Sequence, residues 1–221
     1  MKGMDIIMHI YELPITNIEW SQYDDCLLHF ISPTRKNKLL RYRFATERKL
    51  CLYSGLLARM ALSKLSNIPA EYLEFGVSSY HKPFLLNTPQ YQFNFSHTKN
   101  FIVCGISLLD SVGVDVEKNQ KAPIYIMKNL FHPFEIDFVN NSSNPDIDFF
   151  KIWTRKESYA KYTSIGISED LKYINTLDSK YTSYFFTWHN ADYICSFYSL
   201  DSESTTFNRC TENLIQSFFL S

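Results

Sequence analysis

Residues 45–69, "ATERKLCLYSGLLARMALSKLSNIP", constrain the fold more than any other stretch of the chain. Leu50, Tyr53, Leu56, Leu57, Met60, Ala61 and Leu65 recur at helical spacing, Thr46 stands where an N-cap belongs, and Pro69 lies just past the end. The pattern predicts a helix of about five turns whose apolar stripe must be covered by other elements. The cover follows directly in the chain. Between Val77 and Glu117 the text breaks into short apolar runs, "FLLN", "QFNF", "FIVCGISLL" and "VGVDVE", separated by Pro, Asn and Asp, which read as strands. A second helical stretch, "DFFKIWTRKESYAKYTS" (148–164), is again followed by strand-like runs, "SYFFTW" (183–188) and "YICSFYSL" (193–200), joined by a turn at "HNAD". "FIVCGISL" (101–108) echoes "YICSFYSL" (193–200), so helix-then-strands occurs twice and two similar halves packed side by side account for it. Residues 4–13 read as one further strand ended by Pro14.

With 221 residues the chain can bury a core in one large domain or two small ones. Apolar residues at 45% and aromatics at 16% exclude a disordered or low-complexity protein. A net charge of −1 gives no global attraction to nucleic acid or to an anionic membrane, so an anionic ligand must be held by local charge. Cys26, Cys51, Cys104, Cys195 and Cys210 are dispersed without a C-x-x-C pair, which argues against a disulfide framework and against a zinc site. The start, "MKGMDIIMHIYELP", lacks the apolar core of a signal peptide, and no stretch approaches a membrane span. The expectation is a soluble cytoplasmic protein.

The chemistry begins in "SVGVDVEKN" (111–119), where Val112, Val114 and Val116 alternate with Gly113, Asp115 and Glu117. Side chains two apart on a strand share a face roughly 7 Å apart, so the two acids project together while the valines face the core. Such a pair can share a hard divalent cation such as Mg²⁺; it is equally the pattern of a solvated outer face. On the second helix Phe149, Ile152, Trp153, Tyr159 and Ala160 form a core-facing stripe, and Trp153, Glu157 and Lys161 run i, i+4, i+8 along its edge. Glu157 therefore starts near buried surface and wants a partner, although an ordinary Glu–Lys helix pair with Lys161 is the plainer reading. "FNFSHT" (93–98) ends a strand with the donors Ser96, His97 and Thr98, which suit phosphate oxygens but also suit a turn. "YHKPF" (80–84) holds Lys82 extended before a proline, where it can also be a solvated loop lysine. "SPTRKNKLLRYRF" (32–44) carries Arg35, Lys36, Lys38, Arg41 and Arg43 in nine positions.

In this order and at this spacing these segments resemble the 4′-phosphopantetheinyl transferase superfamily, in its surfactin-type (Sfp-like) branch. The family pattern G-[IV]-D-[IV]-E stands here as "GVDVE" (113–117), and W-x-x-K-E-[SA]-x-x-K as "WTRKESYAK" (153–161). Upstream, "FNFSHT", "YHKP" and "SPTRKNK" match F-N-[IL]-S-H-S, a Y-G-K-P-like turn and S-P-x-[KR]-x-x-K. The combination spans most of the chain.

The resemblance implies an α+β fold of two similar α/β subdomains in pseudo-two-fold arrangement, 1–110 and 111–221, with the site at their junction. It implies an enzyme that moves the 4′-phosphopantetheine arm of coenzyme A to a serine of an apo acyl or peptidyl carrier protein and releases adenosine 3′,5′-bisphosphate. By motif, Asp115, Glu117 and Glu157 would hold Mg²⁺, and Lys161 would sit on the diphosphate. Glu157 would take the serine proton, directly or through a water. Arg35, Lys38, Lys82, Ser96 and His97 would bind coenzyme A, with His97 on the 3′-phosphate. A length of 221 residues suggests a self-sufficient monomer, because the other branch has half-length chains that trimerise. Departures are His81 for the glycine before Lys82, Phe95 and Thr98 in the S-H motif, and Arg155 on the exposed side of the second helix. By charge and position alone, and not from the resemblance, Arg155, Lys156 or Lys128 is expected to face the carrier protein. Another Mg²⁺-dependent phosphoryl-transfer enzyme is the main competing expectation, and a non-enzymatic binding module the other.

Overall fold

A strand–helix–strand–strand unit occurs twice in the computed structural model, which describes residues 7–80, 82–108, 110–164, 166, 169–200 and 204–221. His81, one of the motif departures, lies outside the described residues. The first unit consists of β1 (Ile7–Pro14), the short helices α1 (Gln22–Leu27) and α2 (Pro33–Leu39), the long helix α3 (Ala45–Ser66), a hairpin of β2 (Phe75–Val77) and β3 (Pro83–Leu85), then β4 (Tyr91–Thr98) and β5 (Phe101–Leu108). The second consists of β6 (Gly113–Lys118), α4 (Met127–Leu130), α5 (Pro133–Asn140), α6 (Pro145–Thr163), α7 (Ser179–Thr182), β7 (Phe185–Asn190) and β8 (Tyr193–Tyr198). β9 (Ser204–Arg209) and α8 (Glu212–Leu220) close the chain.

The two sheets repeat one topology. The repeated strands run β4-β5-β1 in the first and β7-β8-β6 in the second, and among these six every pair is antiparallel. The central strands are β5 and β8, the two segments whose sequences echo each other, because both are covered on two sides and carry the same apolar demand. α3 packs on β4 and β5, α6 on β6 and β8. Asn67, with φ of 55°, ends α3 in the left-handed conformation ahead of Pro69, and Ser164 with φ of 61° ends α6 in the same way. The N-cap of α3 is Phe44; Thr46 is already inside the helix.

Among the described residues three apolar clusters hold the molecule. Leu52, Tyr53, Leu56, Leu57 and Met60 fill the first beneath β4 and β5. Met8, Ile10 and Val103 of the first sheet meet Val114, Val116 and Phe197 of the second, so the halves share this cluster. Phe131, Phe149, Ile152 and Ile194 form the third under α5 and α6.

Three expectations require correction. β6 is buried on both faces: its valines enter the shared cluster, and Asp115 on the other face is only 4% exposed against α6. The buried set of α6 is also broader than an apolar stripe, since Thr154, Lys156 and Ser158 are buried while Trp153 and Tyr159 are half-buried. Finally, the chain beyond residue 203 returns to the first half. β9 pairs in parallel with β1, and α8 places Ile215 and Phe219 in the first cluster. Lys49 of α3, fully buried, ties this return with ion pairs to Asp24 at 3.5 Å and Glu212 at 3.3 Å. The unit expected to run over 111–221 thus gives up its last segment to the other.

Candidate active site

The two sheets face each other through their edge strands, β4 and β6, and side chains bridge the seam. Asn94 accepts the Val114 N–H at 3.1 Å, Ser96 donates to Asp115 Oδ1 at 2.8 Å, and Thr98 donates to Glu117 at 3.2 Å. Three alternate residues of β4 therefore serve β6, as the two-residue period of a strand requires. On its other side β6 presses against α6 so closely that a Cβ on Gly113 would stand 1.8 Å from the Ser158 carbonyl oxygen. That approach brings the last turn of α6 onto the acids.

Lys161 donates to Asp115 Oδ1 at 2.6 Å and to Ser96 Oγ at 2.9 Å. The second oxygen, Asp115 Oδ2, is buried with no hydrogen-bond partner. A buried carboxylate oxygen left bare costs free energy unless a cation or donor meets it. Glu157 stands one turn before Lys161; burial and the repulsion of Asp115, eased by Lys161 and aggravated by Glu117, push its carboxyl up to about 7. Burial and Asp115 likewise raise Glu117, against hydrogen bonds from Thr98 and Trp153 and the charge of Lys161. The three expected metal ligands thus sit in one electrostatic neighbourhood. They are not a preformed cage: among the described residues no three His, Cys, Asp or Glu side chains are arranged to hold a metal ion.

A cleft of about 1010 Å³ opens beside them, between the halves. Arg35 and Lys38 of α2 line one wall, Val77 and Lys82 of the hairpin another, and Glu157 and Lys161 the end. Arg35 lies against α3, donating from Nε to the Cys51 carbonyl at 2.8 Å and from Nη2 to Ser54 at 3.1 Å, with its guanidinium 4.6 Å from the Phe95 ring centroid. Gly55 makes this possible, because a Cβ there would stand 2.5 Å from Arg35 Nε. Lys38 is exposed at the rim. His97 is also exposed at the surface, yet desolvation of its ring, reinforced by Arg35, Lys161 and Lys38, lowers it to about 4, so it is neutral near pH 7. Lys82 reaches across the seam: its ammonium donates to Ser111 Oγ at 2.8 Å, the Val112 carbonyl at 3.0 Å and the Tyr162 carbonyl at 3.5 Å.

The structure therefore brings Ser96, Asp115, Glu117, Glu157 and Lys161 together and puts Arg35 and Lys38 on the cleft wall. The expected partner-facing lysine fails. Lys156 is buried, paired with Glu135 at 2.8 Å and donating to the Leu171 and Ile174 carbonyls. Arg155 is half-buried and bonded to Thr187 and the Thr176 carbonyl. Lys128 alone of the three is exposed. Asn94 and Gly55 were not singled out in the sequence. A glycine in mid-helix is a signal for close approach, whereas Asn94 stood inside a motif without a role.

Two family models match the chain. One, described as "4'-phosphopantetheinyl transferase superfamily", covers residues 111–213, and the other, "4'-phosphopantetheinyl transferase, N-terminal", covers residues 18–107. The chain belongs to the 4′-phosphopantetheinyl transferase superfamily. Among its relatives, a 4′-phosphopantetheinyl transferase of Bacillus subtilis is 29% identical over 66% of this chain and 65% of its own length. The 4′-phosphopantetheinyl transferase Sfp of Bacillus subtilis (strain 168) is 25% identical over 73% of this chain and 72% of its own. The 4′-phosphopantetheinyl transferase gsp of Aneurinibacillus migulanus is 32% identical over 62% of this chain and 57% of its own. Within the superfamily the chain falls in the Sfp-like branch. The alignments take in about two thirds of these relatives or less in two of the three cases.

Proposed function

We propose that the chain transfers the 4′-phosphopantetheine group from coenzyme A to a serine of an apo acyl or peptidyl carrier protein and releases adenosine 3′,5′-bisphosphate. The observation that carries this reading is the bare buried oxygen of Asp115, whose other oxygen holds Lys161, in the same electrostatic neighbourhood as the raised carboxyl of Glu157 on the cleft. Arg35 and Lys38 attract the nucleotide phosphates, and Ser96 and His97 add donors at the seam. Lys161 stabilises charge building on the bridging oxygen as the diphosphate is cleaved and the 5′-phosphate of adenosine 3′,5′-bisphosphate leaves. Glu157 takes the serine proton, directly or through a water.

The donor set fits a hard divalent cation: Asp115 through Oδ2, Glu117 and Glu157 would hold Mg²⁺, which supplies positive charge to the diphosphate when bound. Five free cysteines, four of them buried, suit the reducing cytoplasm, and both halves of one chain supply the site, which suits a monomer. Among the described residues no helix is long and apolar enough to cross a membrane. Calorimetric titration with coenzyme A tests the binding half of the proposal. Addition of Mg²⁺ is expected to tighten binding, and Asp115→Asn to remove that gain; binding that ignores both would overturn it.

A further inference from the structure

Lys82 ends in a place where an anion-binding lysine has no reason to be. Its backbone is fixed in the hairpin, where Lys82 N–H donates to Ser78 Oγ at 3.2 Å and its carbonyl accepts from the Ser78 N–H at 2.9 Å. Its side chain crosses the seam and uses three protein acceptors, one per ammonium proton: Ser111 Oγ, the Val112 carbonyl and the Tyr162 carbonyl. Ser111 in turn donates to the same Tyr162 carbonyl at 3.3 Å. Tyr162 lies in the final turn of α6, where a cation complements the helix dipole. Ser111 and Val112 lead directly into Gly113, whose missing side chain seats β6 on Ser158 and Tyr162. The knot thus joins the hairpin wall of the cleft, the entry to the strand carrying Asp115 and Glu117, and the turn carrying Lys161.

We propose that Lys82 is a positioning residue: its ammonium remains on Ser111, Val112 and the end of α6 during turnover, holding the acids and Lys161 in register with the cleft, and it adds nothing to coenzyme A affinity. The proposal rests on the transferase reading only for its kinetic readout. Lys82→Met and Ser111→Ala are compared with wild type, alone and combined. Each single change is expected to lower kcat about tenfold with KM and Kd for coenzyme A within about twofold, and the double variant to be no worse than either, as for residues acting as one unit. Ser111→Thr, which keeps the hydroxyl, is expected to restore kcat. Amide hydrogen exchange over Lys161–Thr163 is expected to accelerate in both single variants and needs no turnover. A Lys82→Met variant that loses coenzyme A affinity about tenfold while Ser111→Ala is silent would overturn the proposal, as would unchanged exchange at the end of α6. If wild type transfers nothing, the transferase reading fails, and the exchange result alone decides on the strut.

Discussion

Gly113 meets the hardest steric limit in the site. A methyl group there would be 1.8 Å from the Ser158 carbonyl oxygen and 2.6 Å from the Tyr162 nitrogen, both backbone atoms that cannot step aside. Gly113→Ala is expected to cost more than about 3 kcal/mol, the upper end of overpacking effects, and urea unfolding measures it. An alanine variant as stable as wild type would contradict the packing of β6 on α6. Lys82 supplies a pH dependence. Burial, only partly offset by Asp110, holds its ammonium at about 8 against the ordinary 10.5. Between those values the unfolded chain binds the extra proton, so the stability difference between wild type and Lys82→Met shifts toward wild type as pH rises through that window. Activity moves the other way, because the strut loses a donor above about 8, and Lys82→Arg is expected to flatten that limb of the rate profile. The alternation of Gly113, Asp115 and Glu117 was legible in the sequence. That both faces are buried was not, since the covering surfaces come from β4 and α6, distant in the chain.

At the scale of the elements, α6 deviates most from its own pattern. Helical periodicity placed Lys156 outside, but it is buried against Glu135, which also accepts from the Thr176 N–H and hydroxyl at 2.7 Å. Nothing local marks such a lysine, because its partner belongs to a different helix. The other long helix carries the counterpart: Lys49, also preceded by arginine, is buried between Asp24 and Glu212. Each repeat thus fixes its long helix with one internal cation. Removing one partner of a buried pair leaves a bare charge, so Lys156→Met is expected to cost about 3–5 kcal/mol and the further change Glu135→Gln to recover part of it. Thermal unfolding of the single and double variants checks this; a double variant less stable than the single would contradict it.

The whole molecule is a duplicated unit whose halves are stitched by the shared apolar cluster, the β4–β6 seam, the Lys82 knot and the returning tail, among other contacts. The duplication was visible in two similar strand sequences because both became central strands. The tail was not, because an amphipathic nine-residue helix does not announce which half it will cover. Removing residues 204–221 uncovers the first core and leaves Lys49 only Asp24 as an acidic partner, so the shortened chain is expected to lose cooperative unfolding, measurable by calorimetry. A cooperative transition at the wild-type temperature would contradict that role. The central claim joins both halves in one reaction, and intact-protein mass of an apo carrier protein incubated with this chain, coenzyme A and Mg²⁺ tests it most directly. The predicted result is a gain of one phosphopantetheine arm, lost on adding EDTA and in a folded Glu157→Gln variant. Transfer that persists at the wild-type rate in Glu157→Gln, or with the divalent cation chelated, would contradict it.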